Sequence, residues 1–470
     1  MTAINAIRMG GVEVLPLVEG GKGISVSNGK TSGHWAASGG VGTFSAVNAD
    51  AHDASGAPIL EVYRGRTRRE RHEELVDFAI RGGIHQAREA HELAGGAGRI
   101  HANILWEMAG AERVITGVLE GARGLINGIT CGAGMPYRLS DIAARFGVYY
   151  YPIVSSARAF NALWRRAYSK AAELLGGVVY EDPWRAGGHN GLSNSEDPTR
   201  PEDPYPRVVA LRKLLRSFGL GETPIIMAGG VWWLDEWRDW IDNPELGPIA
   251  FQFGTRPMLT RESPISDAWK KKLLTLAEGD VFLNHFSPTG FYSSAVNNAF
   301  IRELRERNER QVAYTTEPVG EHVAEYGVGP RRRSVYLTPP DLARAHEWER
   351  EGFTEALRTP DNTLIFVAPE KAREITADQI ACMGCLSQCR FSNWSEHEPD
   401  YSTGKKADPR SFCIQKTLQA IAHDRDDPNS VENNLMFSGH NGFRFATDPF
   451  YSNGFIPTVK ELVARILTGR

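Results

Sequence analysis

The sequence predicts an α/β fold, a (β/α)8 or TIM barrel with insertions and a mostly helical C-terminal extension. Three observations predict it. Eight short β-prone runs fall in the first part of the chain, helical patterns separate most of them, and several end in glycine-rich or polar turns. Apolar strands alternating with helices indicate a buried parallel sheet, and eight repeats in about 250 residues suit a closed barrel better than an open sheet.

The runs are Val14–Val18, Val41–Val47, Ile100–Leu105, Gly124–Ile129, Val148–Val154, Gly177–Tyr180, Pro224–Met227 and Ile249–Phe253. Helical patterns at Ala157–Leu175 and Pro206–Phe218 separate the later ones, and Asp267–Leu276 would close the barrel, placed at residues 1–280. Two long intervals, about 48–99 and 190–222, read as insertions at the rim. The second holds Ser193–Pro206, too rich in Pro, Asp and Ser for strand or continuous helix. Residues 281–470 read as a C-terminal helical region, with helical periodicity at Ala295–Gln311 and Pro340–Leu357.

Composition narrows the class. The 470 residues are 41% hydrophobic and 23% charged, as in ordinary globular proteins. Lys+Arg 53 against Asp+Glu 57 gives a net charge of -4, which excludes the basic footprint of a nucleic-acid binder. The basic run Arg64–Arg71 meets glutamates at once and reads as a solvated helix face. No apolar stretch is long enough to span a bilayer, and Met1–Gly10 lacks the pattern of a signal peptide. The expectation is a cytoplasmic protein acting on a small molecule, in an oligomeric state the sequence leaves open.

Barrel enzymes place their chemistry on loops at the carboxyl ends of the strands. Gly20-Gly21-Lys22-Gly23 follows the first run, Gly187-Gly188 the sixth, Ala228-Gly229-Gly230 the seventh, and Gln252-Phe253-Gly254-Thr255 the eighth. Loops seven and eight are the usual phosphate site of such barrels, so these last two read as the cradle of a phosphorylated cofactor. His189 stands just past the sixth run between glycines, where an imidazole suits a general base. His34, His85 and His101 lack such a setting and read as structural or surface residues.

Taken in order, LPLVEGGKG (15–23), GGVGTFS (39–45), YPIVSS (151–156), AGGHNG (186–191), TPIIMAGG (223–230) and QFGTRPMLTRES (252–263) resemble the nitronate monooxygenase, or 2-nitropropane dioxygenase-like, family. The likeness covers roughly the first 265 residues. It implies non-covalent FMN and His189 as catalytic base toward a nitroalkane or nitronate, with O2 accepting the electrons. It also implies an FMN phosphate at Gly229, Gly230, Gly254 and Thr255, and a ring near Gly21, Lys22 and Gly23. Asn103, Ser155, Gly187, Gly188, Ala228 and Gln252 are further contacts on this reading.

The chain departs from the family at Glu19-Gly20-Gly21-Lys22, where Gln-Gly-Gly-Met is usual, and at Glu181-Asp182-Pro183-Trp184. A Lys22 ammonium pointing inward would favour anionic reduced flavin. The AGGH architecture is shared with flavin enoyl-thioester reductases, which use NAD(P)H, and this is the alternative activity. A non-catalytic flavin or cluster protein is the reading from another class.

Four of the five cysteines, Cys382, Cys385, Cys389 and Cys413, fall in one short region. Clustered thiolates in a reduced compartment suit a [4Fe–4S] cluster or tetrahedral zinc, and a flavin partner favours the cluster. The first three spacings resemble the cluster segment of the dienoyl-CoA reductase group. Cys131 reads as a packed thiol.

Overall fold

The computed structural model describes residues 4–469. Eight parallel strands close into a barrel: β1 (Leu17–Glu19), β2 (Val41–Ser45), β3 (Arg99–Leu105), β4 (Gly128–Gly132), β5 (Tyr149–Val154), β6 (Val178–Glu181), β7 (Ile225–Ala228) and β8 (Ile249–Phe253). β8 pairs with β1 through Phe251↔Leu17, which closes the ring. The expected barrel with its extension is therefore present.

Alternation along each strand sorts the side chains. Val18, Val41, Tyr151, Val179, Ile226 and Ala250 meet inside the barrel, while Leu17, Phe44, Tyr150, Tyr180, Met227 and Phe251 face the surrounding helices. The interior balances large against small. His101 stacks on Tyr151 with centroids 4.3 Å apart, and a Cβ at Gly128 would lie 2.6 Å from the Tyr151 ring. Burial pushes the His101 imidazole down to about 3, so it fills this interior as a neutral ring.

Differences from the expected elements have local causes. The first run divides at Pro16, which has no N–H to give a ladder. Val12–Val14 pairs with Ile7–Met9 in a hairpin, and the barrel strand starts at Leu17. The fourth strand lies at Gly128–Gly132, later than expected, because Gly128 must face the two interior rings. Much of the interval 48–99 is the barrel's own helix, α2 (Arg68–Ala94), capped by a Thr67–Glu70 box and ended at left-handed Gly95. It packs on α1 (Gly29–Ala37). The basic run is a solvated face only in part: Arg64, Arg66 and Arg69 are exposed, whereas Arg68 and Arg71 are not. Arg68 donates to the carbonyls of Ser392 and Gln379, and Arg71 to those of Cys382 and Ile380, tying α2 to the cysteine segment.

Beyond the barrel, helices Ala299–Glu309, Pro339–Arg350, Pro369–Ile380 and Ile414–His423 are accompanied by antiparallel strands that periodicity did not reveal. Gln311–Ala313, Thr363–Val367 and Glu355–Arg358 form one small sheet. The last helix, Val459–Thr468, returns to the barrel and buries Val459, Leu462, Val463 and Ile466 in its main core. No helix among the described residues is long and apolar enough to cross a membrane.

α2 approaches the loop after β2 so closely that a Cβ at Gly82 would fall 1.6 Å from the Ala49 carbonyl oxygen. Alanine gains about 1 kcal/mol of helix propensity over glycine, but overpacking costs about 1–3 kcal/mol or more. Gly82→Ala should therefore lower the midpoint of denaturant unfolding; an unchanged or higher midpoint would contradict this packing.

Candidate active site

The loops after β1, β6, β7 and β8 meet at the carboxyl end of the barrel around a cavity. Gly21, Lys22, Gly23, Asn103, Gly187, Gly188, His189, Ala228, Gly229, Gly230, Gln252, Gly254 and Thr255 all line it. Ser155 does not. It lines an adjoining, wider cavity, where its hydroxyl donates to the Gly191 carbonyl at 2.7 Å. Glu107, Ala133, Ile153, Glu181 and His189 form the wall that the two cavities share.

Glycine is required here by contact and by conformation. A Cβ at Gly21 would lie 2.3 Å from the Asn103 Cβ, and one at Gly187 2.6 Å from the Gly439 nitrogen. Gly229 and Gly230 adopt φ +88° and +80°, the left-handed region that side chains disfavour. Among the described residues the amides of Gly229, Gly230, Gly254 and Thr255 donate to no protein acceptor. A group of unpaired amides at the ends of β7 and β8 fits a phosphate. Arg256 supports the loop from behind, buried, with Nη1 on the Trp232 carbonyl at 2.7 Å and its guanidinium 4.0 Å from the Trp233 ring centroid.

His189 is held by elements distant in sequence. With Gly188 it forms a two-residue strand antiparallel to Ser293 and Ser294. Its Nε2 lies 2.6 Å from Ser287 Oγ, which lies 2.8 Å from Thr289 Oγ1. Phe437 packs edge-on, centroids 5.5 Å apart. Burial, with no countercharge beside it, pushes the imidazole down to about 4, so it is neutral at physiological pH.

Glu181 continues the inward side of β6, two residues beyond Val179. Burial first, and the neighbouring Asp182 second, push its carboxyl up to about 8. Burial also raises Glu107, whose Oε2 accepts from Ser387 Oγ at 3.0 Å. Lys22 corrects the expectation of an inward charge. Its ammonium donates to the Gly20 carbonyl at 2.8 Å and lies 3.3 Å from Glu19 Oε1, so it is spent on buried Glu19. Burial lowers its pKa, against the pull of Glu19.

Sequence reasoning missed the C-terminal contribution. Residues 438–441 wedge between the loops. The Gly439 amide donates to Thr255 Oγ1 at 3.0 Å, Asn441 Nδ2 to the Gly230 carbonyl at 2.6 Å, and His440 Nε2 lies 3.1 Å from Ser294 Oγ. The signal that could have found them is the tetrapeptide Gly439-His440-Asn441-Gly442, which repeats Gly188-His189-Asn190-Gly191.

The cysteines lie beside this cavity. Cys382, Cys385 and Cys389 are buried, Cys413 is half-buried, and all four pack in one cluster with Phe391, Trp394 and Phe412. Each sulfur faces a backbone amide: Gly384 for Cys382 at 3.4 Å, Gln415 for Cys385, Phe391 and Ser392 for Cys389, and Lys416 for Cys413. Burial pushes the Cys389 thiol up to about 11 and Cys413 to about 12. Cys385 also lines the barrel-mouth cavity, and its carbonyl accepts from the Ala109 amide at 3.1 Å. Cys131 is buried in the barrel's outer core, apart from the four.

Unpaired amides at the ends of β7 and β8 and a buried, neutral His189 share the lining of this cavity, an arrangement that suits FMN in an enzyme of the flavin oxidoreductase kind. The sequence model of a family described as "Nitronate monooxygenase" matches residues 127–383, more than half of the chain, and the chain belongs to that family. The match begins later than the resemblance in the sequence motifs and extends further, just past Cys382, the first cysteine of the cluster. No curated protein matches. Among solved structures, the enoyl reductase domain of MlnA from the macrolactin biosynthesis cluster of Bacillus amyloliquefaciens is similar at 11% identity. That match covers 96% of this chain and 93% of that one, with a TM-score of 0.51. FabK from Thermotoga maritima follows at 14% identity, 96% and 91% coverage, TM-score 0.48. A nitroalkane oxidase from Streptomyces ansochromogenes has 16% identity, 62% and 78% coverage, TM-score 0.42. At these identities the MlnA likeness speaks for the fold alone.

The folded-state shift of His189 carries a linkage consequence. Between pH 6.5 and about 4 the unfolded chain binds a proton that buried His189 refuses, so its contribution to stability falls as pH drops through that window. A nitrogen-15 NMR titration should show the His189 ring neutral down to about pH 4; an inflection near 6.5 would contradict the burial.

Proposed function

We propose that the protein oxidises an alkyl nitronate or nitroalkane with O2, using FMN and His189 as the base. The observation that carries this reading is neutral His189 on the wall between a cofactor cavity and a wider substrate cavity. Bound FMN supplies a two-electron sink that O2 reoxidises. Gly229, Gly230, Gly254 and Thr255 would hold its phosphate, and Gly21, Lys22, Gly23, Asn103, Gly187, Gly188, Ala228 and Gln252 would surround the rest. Ser155 acts instead on the substrate side, by fixing Gly191.

A neutral imidazole accepts the proton from carbon beside the nitro group, and the Ser287–Thr289 hydroxyl pair orients its ring. Glu181, protonated at neutral pH, adds no negative charge to repel an anionic nitronate. A second reading, NAD(P)H-dependent reduction of an enoyl thioester, is favoured by the size of the substrate cavity, about 1080 Å³, far more than a small nitronate fills. The O2 and NAD(P)H readings separate in one experiment. Anaerobic holoenzyme is mixed with propionate 3-nitronate, NADH or NADPH, and flavin absorbance is followed. Bleaching by nitronate is expected; rapid bleaching by a pyridine nucleotide alone would replace the first reading with the second. With a nitroalkane as substrate, His189→Ala should lower kcat about 10²–10⁴-fold with FMN retained, and unchanged turnover would remove His189 as the base.

We further infer that Cys382, Cys385, Cys389 and Cys413 hold a [4Fe–4S] cluster. Amides facing all four sulfurs suit thiolates, because an N–H stabilises a negative sulfur and tunes a cluster's potential. Position beside the flavin cavity suits electron exchange more than a zinc staple. Anaerobically purified protein should contain about four iron and four sulfide per chain, lost in Cys385→Ser. Stoichiometric zinc without iron would establish the tetrahedral zinc alternative instead.

A further inference from the structure

A second cluster of metal-ligating side chains lies on the flank of the barrel, away from the cysteines. His85 and Glu89 stand on α2 at i and i+4, on one face of the helix. The loop after β2 brings His52 onto that face. His52 Nδ1 and His85 Nε2 are 3.1 Å apart, and one ligand atom each from His52, His85 and Glu89 all lie within 4.8 Å of one another. All three residues are partly buried.

A hydrogen bond between the imidazoles would account for their approach. It would not account for Glu89, whose Oε2 is sealed from solvent with no hydrogen-bond partner among the described residues. An unpaired buried carboxylate oxygen is costly, and a cation relieves that cost. Two imidazole nitrogens about 3 Å apart match two ligands each about 2.1 Å from one metal. The surroundings hold the set in place. Gln86, between the two helical ligands, accepts from the Gly29 amide at 2.6 Å and donates to the Asp50 carbonyl at 2.5 Å, pinning the loop two residues before His52.

We propose that His52, His85 and Glu89 bind a divalent first-row metal of the zinc class, with water completing the coordination. Two imidazoles and a carboxylate suit zinc, and three protein ligands leave a further position for solvent. The site clips the loop after β2 to α2. That loop contributes Val47 and Asn48 to the cofactor cavity, then runs on to the exposed apolar residues Ile59, Leu60 and Val62. The metal thus anchors it between an ordered cavity wall and a solvent-facing tip. The proposal stands apart from the reading of the flavin site and of the cysteines.

The test uses full-length holoprotein freed of loosely held metal by chelator and then dialysed against Zn2+. Wild type should hold one more equivalent of zinc than His85→Ala or Glu89→Gln, measured by elemental analysis, with flavin content confirming that each variant is folded. Saturating zinc should slow proteolysis within residues 53–65 in wild type and leave both variants unprotected. Loss of one ligand should weaken zinc binding at least about 100-fold, beyond the 10–100-fold cost of losing an outer hydrogen bond. Co2+ at this site should show ligand-field bands without sulfur-to-cobalt charge transfer, which separates it from the cysteines. Equal zinc in wild type and both variants would overturn the proposal, as would cobalt spectra showing thiolate ligation alone.

Discussion

The contact on which the mouth of this barrel depends is the approach of one backbone to another at Gly187 and Gly439. A side chain on Gly187 would sit against the Gly439 nitrogen, and one on Gly439 would lie 2.8 Å from Thr255 Oγ1. With hydrogen atoms in both places, the segment at 438–441 can sit between the loops after β6, β7 and β8. It satisfies Thr255 and Gly230 and packs Phe437 against His189. The histidine strand then finds its partner at Ser293–Ser294. The barrel supplies the cradle, and chain from beyond residue 280 completes it.

What the sequence made legible was local. Strand alternation and glycine-rich loop ends place the cavity correctly, because a parallel barrel delivers every carboxyl-end loop to one rim. His189 could be singled out for the same reason. Its partners Ser287 and Thr289 could not, since nearly a hundred residues intervene and neither lies in a pattern. Arg68 and Arg71 show the same limit from the other side: charge clustering reads as solvated until a carbonyl-rich loop is known to lie across it. The loop bearing Lys22 was identified from its glycines, yet the direction of its ammonium depended on Glu19, whose burial only the closed barrel produces.

The cysteine segment and the histidine belong to one mechanical unit. Arg390, the residue after Cys389, donates from Nη2 to the Ser287 carbonyl at 3.1 Å, and Ser287 in turn meets His189. On the other side, the chain at Leu386 bridges to Met108, and the Ser387 amide donates to the Glu107 carbonyl at 2.7 Å. Loss of the fold around the cysteines would release both His189 and Glu107. A loss of activity in a cysteine variant is therefore ambiguous by itself, and cofactor content must be measured with it.

Electrostatics set what the shared wall accepts. His189 is neutral because burial leaves its cation without a partner; Glu181 is neutral because burial and Asp182 oppose its anion. The buried ammonium of Lys22 is already matched by Glu19. His189 and Glu181 thus give the wall an acceptor and a donor, beside Glu107, whose anion burial also opposes. At these groups a ligand meets burial and shape before it meets a fixed charge. An anionic ligand group is left to the unpaired amides at the ends of β7 and β8, which begin one residue beyond Ala228, the register partner of Glu181.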